Sequence, residues 1–171
     1  RGWLGRKRVI IERRWDTYKV TNMKSMFEGA EAFDKDISWF DTISVLNMEN
    51  MFSSARSFNQ DITRWNTSKV TNMKSMFQDA IAFNNGDNPG SSSKPLKSSS
   101  TQEGNWNTSS VTTMAYMFES ATAFNQDISG FDTKEVTTMK FMFSIARVFN
   151  DQNKKKFAVK VCQDGKSSLL S

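Results

Sequence analysis

The chain has 171 residues, 37% of them hydrophobic and 24% charged, which suits one packed core and excludes a chain disordered throughout. It has no His and one Cys, Cys162, so imidazole acid–base catalysis, a Cys/His zinc centre and a disulfide within the chain are all excluded. The net charge of +5 sits at the ends: residues 1–14 carry +5 and 154–171 carry +4, which leaves 15–153 acidic and argues against a nucleic-acid-binding body.

In chain order, residues 1–14 (RGWLGRKRVIIERR) form a basic segment or partial cap that fits no preceding repeat. The first residue is Arg1 rather than Met, which is compatible with a removed leader or a fragment. From Trp15 a repeat begins: aromatic–Asp/Asn–Thr–x–x–Val–x–x–Met–x–x–Met–Phe–x–x–Ala–x–x–Phe. Copies start at Trp15, Phe40, Trp65, Trp106 and Phe131, and nine residues, KVTNMKSMF, are identical at 19–27 and 69–77. Every methionine falls on one of two columns: Met23, Met48, Met73, Met114 and Met139, then Met26, Met51, Met76, Met117 and Met142. Two phenylalanine columns follow: Phe27, Phe52, Phe77, Phe118 and Phe143, then Phe33, Phe58, Phe83, Phe124 and Phe149. These twenty side chains are the predicted structural core.

Within each copy Val20, Met23, Phe27 and Ala30 recur at spacings of three and four, which predicts one face of a short helix. Asp16-Thr17 suits its N-terminal cap or an Asx turn. The small Ala column at 30, 55, 80, 121 and 146 predicts close approach of neighbouring coils. Phe33–Ser38, Phe58–Thr63 and Phe124–Ser129 each end in Asp-Ile-Ser/Thr, a short strand with Ile37, Ile62 and Ile128 inward. One helix and one strand in 25 residues cannot enclose a core alone, but stacked coils can. The expectation is an α/β solenoid over 15–153, of about five 25-residue coils, each a short helix plus a short parallel strand.

The third copy carries a Gly/Ser/Pro-rich insertion at 85–104, predicted to be a flexible loop. The second copy has Leu46 where the others have Thr, and the last loses Asp-Ile-Ser. After it comes the basic segment or partial cap at 154–171, in which Phe157–Val161 alternates like a strand. No apolar run approaches the roughly 18 residues of a transmembrane helix.

Met-x-x-Met pairs suit copper(I) chemistry, but their repetition in all five copies beside Phe favours a core of adaptable thioethers. Asp36, Asp61 and Asp127 form a carboxylate column that suits either calcium or a ladder of Asx-type turns. Asn66-Thr67-Ser68 and Asn107-Thr108-Ser109 match the N-glycosylation acceptor, although both Asn sit where other copies place the capping Asp. No metal and no cofactor is assigned, and no nucleophile–base pair breaks the repeat columns, so the chain is expected not to be an enzyme.

The phrases WNTSKVTNMKSMFQDAIAFN from Trp65 and FNQDISGFDTKEVTTMKFMFSIARVFN from Phe124 resemble the repeat of BspA-like leucine-rich-repeat surface proteins, the mycoplasma-lipoprotein type. The resemblance covers about 15–150. It implies a right-handed, leucine-rich-repeat-like solenoid on a secreted or cell-surface protein, and a role in adhesion or protein binding with no catalytic residues. The chain is accordingly expected to be a monomeric, non-catalytic module that presents a repeat-built surface to a protein or glycan. Ser38, Thr63 and Ser129, with Trp39 and Arg64 nearby, are the candidate partner-binding residues. The alternative is a spacer tethered through its basic ends to anionic lipid or nucleic acid.

Overall fold

The computed structural model describes residues 14–88, 106–149 and 151–170. Expectations placed on 1–13, and on the insertion beyond residue 88, lie outside the described residues. Successive repeats lie side by side and are joined by isolated parallel bridges, Asn22–Asn47, Asn47–Asn72, Asn72–Thr113 and Thr113–Thr138. The expected α/β architecture is absent. Among the described residues the repeats contain neither a helix nor a strand. Regular structure is confined to α1, Asp151–Gln163, and a 3-10 turn, Ser167–Leu170. The leucine-rich-repeat-like solenoid of helices and parallel strands is thereby overturned, and what the chain forms is a ladder of turns.

The backbone hydrogen bonds show why. Met23, Ser25, Phe27 and Gly29 donate their N–H groups to the carbonyls of Asn47, Glu49, Met51 and Ser53 in the next coil, at 2.8–2.9 Å. The intervening N–H groups of Met26, Glu28 and Ala30 turn back on Met23, Ser25 and Phe27, at 3.1–3.3 Å. The Lys24 N–H goes to Asn22 Oδ1 at 2.9 Å. Each N–H in this run thus finds an acceptor, alternately across the ladder and within its own turn. The same alternation recurs from the second coil to the third, the third to the fourth and the fourth to the fifth. An α-helix would instead send every N–H four residues back along the same coil.

Two left-handed residues per coil make this path. The first column, Ser25, Asn50, Ser75, Tyr116 and Phe141, has φ of 54–61°. The second, Gly29, Ser54, Asp79, Ser120 and Ile145, has φ of 56–68°. Each breaks the right-handed run and flattens what would have been a helix into consecutive turns. A flattened run of turns still points Met23, Phe27 and Ala30 inward at intervals of three and four. The spacing that predicts a helix is therefore satisfied without one.

The core is a stack of columns. Phe52 stacks on Phe77 at 5.5 Å between ring centroids and Phe77 on Phe118 at 5.6 Å, while Phe77 meets Phe83 of its own coil at 3.9 Å. Such ring pairs add about 0.5–1.5 kcal/mol beyond the area they bury. The methionine columns are buried except Met26 in the first described coil, which is exposed. Phe33 and Phe143 are half-buried. Thr42, Thr67 and Thr108 are also buried, and each donates its hydroxyl to a main-chain carbonyl of the next coil at 2.9 Å.

The expected strand at 157–161 is instead part of α1. Asn153, Phe157 and Val161 lie four apart on its buried face, so the alternation of Phe157, Val159 and Val161 was a helical spacing in disguise. The helix covers the fifth coil, with Phe157 edge-on to Phe143 at 5.7 Å.

Two substitutions test this account. Phe77→Ala removes the middle of one five-ring column and is expected to cost about 3–5 kcal/mol in chemical denaturation. Ile145 is a β-branched, exposed residue at φ 58°. Ile145→Asn, which tolerates that conformation, is expected to raise stability by about 0.5–1 kcal/mol. A lower midpoint for Ile145→Asn would contradict the left-handed turn.

Candidate functional site

The five candidate binding residues sit at the corners of the coils. Each corner is an Asx turn, in which Asp36, Asp61 and Asp127 accept the N–H groups of Ser38, Thr63 and Ser129 at 2.9–3.0 Å. The hydrogen bonds from the Ser38 side chain and backbone, assisted by Arg14, outweigh the desolvation that opposes them and hold the Asp36 carboxyl below its ordinary value. Trp39 is half-buried: its ring lies edge-on to Phe40 at 4.8 Å, Arg14 covers it at 5.5 Å, and its Nε1 donates to the Asp36 carbonyl. Arg64 is exposed. The ladder therefore brings Ser38 and Trp39 beside Thr63 and Arg64 on adjacent coils. Ser129 lies two coils further on, because the third coil has no Asp-Ile-Ser/Thr.

The Asp column is a ladder of turns. Each carboxylate serves the corner it opens, and Asp127 is also paired with Lys156 at 3.2 Å. Among the described residues no group of three or more acidic or Cys side chains is gathered to hold a metal ion. Asn66 and Asn107 do open Asx turns, with Oδ1 accepting from Ser68 and Ser109 at 3.0 and 2.9 Å.

Sequence reasoning missed three features. One is an Asx/ST column at Asn22, Asn47, Asn72, Thr113 and Thr138, each of which holds the N–H two residues on. A second is a side-chain ladder one residue past the second Phe. There Asp34 accepts the N–H of Asn59, Asn59 that of Asn84, and Asn84 that of Asn125, at 2.7–2.9 Å. The recurrence of Phe-Asn in the second, third, fourth and fifth copies was the available signal. The third is the start of the insertion, assigned to the flexible loop. Asn85 and Asp87 are buried, and Asn85 accepts the Ile62 N–H at 3.0 Å.

At the other end, Asp164 closes the ladder. Its Oδ2 accepts from the Thr133 N–H and hydroxyl at 2.7 and 2.9 Å, and its Oδ1 from Lys160 at 2.6 Å. Thr133 is the last of the threonine column, so the carboxylate supplies the acceptor that a following coil would supply. Burial pulls the Asp164 carboxyl upward, but Lys160 and both Thr133 donors outweigh it and leave it below the ordinary 3.8. Two lysines of the basic C-terminal segment are thus engaged internally, Lys156 with Asp127 and Lys160 with Asp164. No helix of the described residues is long and apolar enough to cross a membrane.

A cavity of about 630 Å³ lies between the fifth coil and the cap. Met139, Met142 and Phe143 form one wall, Phe157 and Ala158 of α1 another, and Leu169 a third, with Lys140 and Lys154 as its charged lining residues. Its size is that of ordinary ligand pockets.

The family described as "Mycoplasma protein of unknown function, DUF285" matches residues 7–103 and again 96–169, nearly the whole chain. The chain belongs to that family. No curated protein and no solved structure matches it. The narrower assignment to BspA-like leucine-rich-repeat proteins is not part of the match, and the leucine-rich-repeat architecture it implied for this DUF285 chain is the one the turns replace.

The Asp164 closure predicts a pH dependence. A depressed native carboxyl contributes stability in full above its unfolded value and loses it as pH falls through the native one. Asp164→Asn is expected to cost about 1.5–3 kcal/mol at pH 7. The gap between wild type and variant should hold above about pH 5 and narrow below the ordinary value of 3.8. A gap that stays constant down to pH 2 would contradict the charged closure.

Proposed function

We propose that this DUF285 chain is a non-catalytic binding module, displayed at a cell surface or secreted, which presents its row of coil corners to a protein or glycan partner. The single observation that carries the reading is the register of the ladder. Parallel pairing repeats equivalent positions at a spacing of about 4.8 Å, which is a period that extended polymers can follow. The corner turns use their Asp side chains and main-chain groups to hold their own shape, so the residues offered outward are Trp39, Arg64 and the flanks of Ser38, Thr63 and Ser129. An aromatic ring covered by a guanidinium, with a second exposed guanidinium one coil away, suits sugar faces and carboxylate-bearing surfaces. The resemblance of the repeat to BspA-like surface proteins supports display outside the cell and adhesion as the purpose.

The reading is tested by presenting the intact chain to arrays of purified extracellular proteins and glycans. Binding to a defined component is expected, and Arg64→Glu should weaken it at least tenfold with no change in unfolding midpoint. Binding that ignores both Arg64→Glu and Trp39→Phe would place the contact elsewhere.

A further inference from the structure

We propose that the open edge of the fifth coil is a second binding site, which takes an acidic and apolar peptide segment of a partner protein, folded into the same turns, as an added rung of the ladder. This site lies away from the corner row and does not depend on that reading.

The first observation is a row of donors. In the fourth coil the N–H groups of Met114, Tyr116, Phe118 and Ser120 donate to Thr138, Lys140, Met142 and Ser144. The equivalent groups of the fifth coil are those of Met139, Phe141, Phe143 and Ile145, and among the described residues none of them makes a hydrogen bond. Four N–H groups at every second residue match the carbonyl row that Asn47, Glu49, Met51 and Ser53 offer the first coil, so a peptide that takes up the same turns can pair with them, the edge pairing on which recognition by strand addition rests. An acyl chain offers no such row of acceptors.

The second observation is charge. Lys24, Glu49, Lys74 and Lys140 occupy the same position in the first, second, third and fifth coils. Glu49 lies between two lysines, 2.9 Å from Lys24 and 3.8 Å from Lys74. Those two lysines hold the Glu49 carboxyl below its ordinary value. Lys140 has no such partner: it lies over the ring of Phe141 at 5.1 Å, and among the described residues no carboxylate pairs with it. A rung added next to Lys140 therefore has a place for an acidic residue in the Glu49 position.

The third observation is room. The cap helix leaves the cavity lined by Met139, Met142 and Phe143 directly beside this edge. The exposed side chains of Phe141 and Ile145 extend the apolar surface outward. A peptide paired to the N–H row would send apolar side chains into the cavity, as Met48, Met51 and Phe52 are sent inward in the second coil.

The chain itself supplies a probe. Residues 46–54, LNMENMFSS, give the first coil its carbonyl row and carry Glu49. A synthetic peptide of that sequence is titrated into the intact chain, followed by amide NMR. Saturable one-to-one binding is expected, with shifts concentrated at Met139, Phe141, Phe143 and Ile145. The same peptide carrying Glu49→Lys should bind at least tenfold more weakly, and Lys140→Glu in the protein, at an exposed position, should restore binding of that variant peptide. Absence of binding, or shifts that miss these four amides, overturns the proposal. So does laurate saturating the cavity where the peptide does not, or self-association of the chain through this edge, since either assigns the edge to a different occupant.

Discussion

Everything in this structure depends on a division of labour among backbone N–H groups. From Met23 to Ala30 they alternate between the neighbouring coil and their own turn, and side chains such as Asn22 take the one that fits neither. That alternation keeps the coil flat enough to stack and curled enough to keep two of every four side chains inside. The rings and thioethers then pile in columns because the hydrogen bonds have fixed the rise between coils. Removing the ladder would leave the apolar residues in a pattern that no single coil could bury.

The sequence made the columns legible and hid the conformation. Met23 through Phe33 repeats in five copies, and burial of nearly all these side chains follows from the repeat alone. The helix did not follow. Spacings of three and four are met equally by a helix and by a run of turns with left-handed residues at fixed places. Those places hold Ser, Asn, Ser, Tyr and Phe in one column and Gly, Ser, Asp, Ser and Ile in the other, with no shared signature. What sets φ there is the gain from four hydrogen bonds to a neighbouring coil, a tertiary effect that outweighs local propensity. Phe157–Val161 failed for a related reason, since five residues are too few to separate a period of two from one of nearly four. The corner residues fared differently: their place on the ladder was readable from the repeat, whereas their engagement in Asx turns needed coordinates.

A ladder has two ends, and its ends need side chains to do what coils do inside. At the C-terminal end the threonine column stops at Thr133, and Asp164 takes its two donors. Among the described residues the Asn ladder reaches Asn125, where Asn153 of α1 donates to the Asn125 carbonyl at 2.8 Å. The cap therefore matches the ladder column by column on one side. Along Met139–Ile145 it supplies no acceptors among the described residues, and that asymmetry separates a closed face from an open edge on the same coil.

The third coil shows how the ladder survives an interruption. It lacks the Asp-Ile-Ser/Thr corner, yet its neighbours keep their register. Asn84 carries the Asn ladder across the gap, and Asn85 accepts the Ile62 N–H while its Nδ2 donates to the Thr63 hydroxyl at 3.0 Å. Where the chain returns, the Trp106 Nε1 donates to the Ile62 carbonyl at 3.0 Å, the same bond that Trp65 makes to Ile37 at 3.1 Å. Side chains at 84 and 85 thus stand in for the missing corner, and the indole at 106 re-enters the column it left. An insertion is tolerated at this corner because both polar groups of Ile62, its N–H and its carbonyl, are bonded before and after the detour.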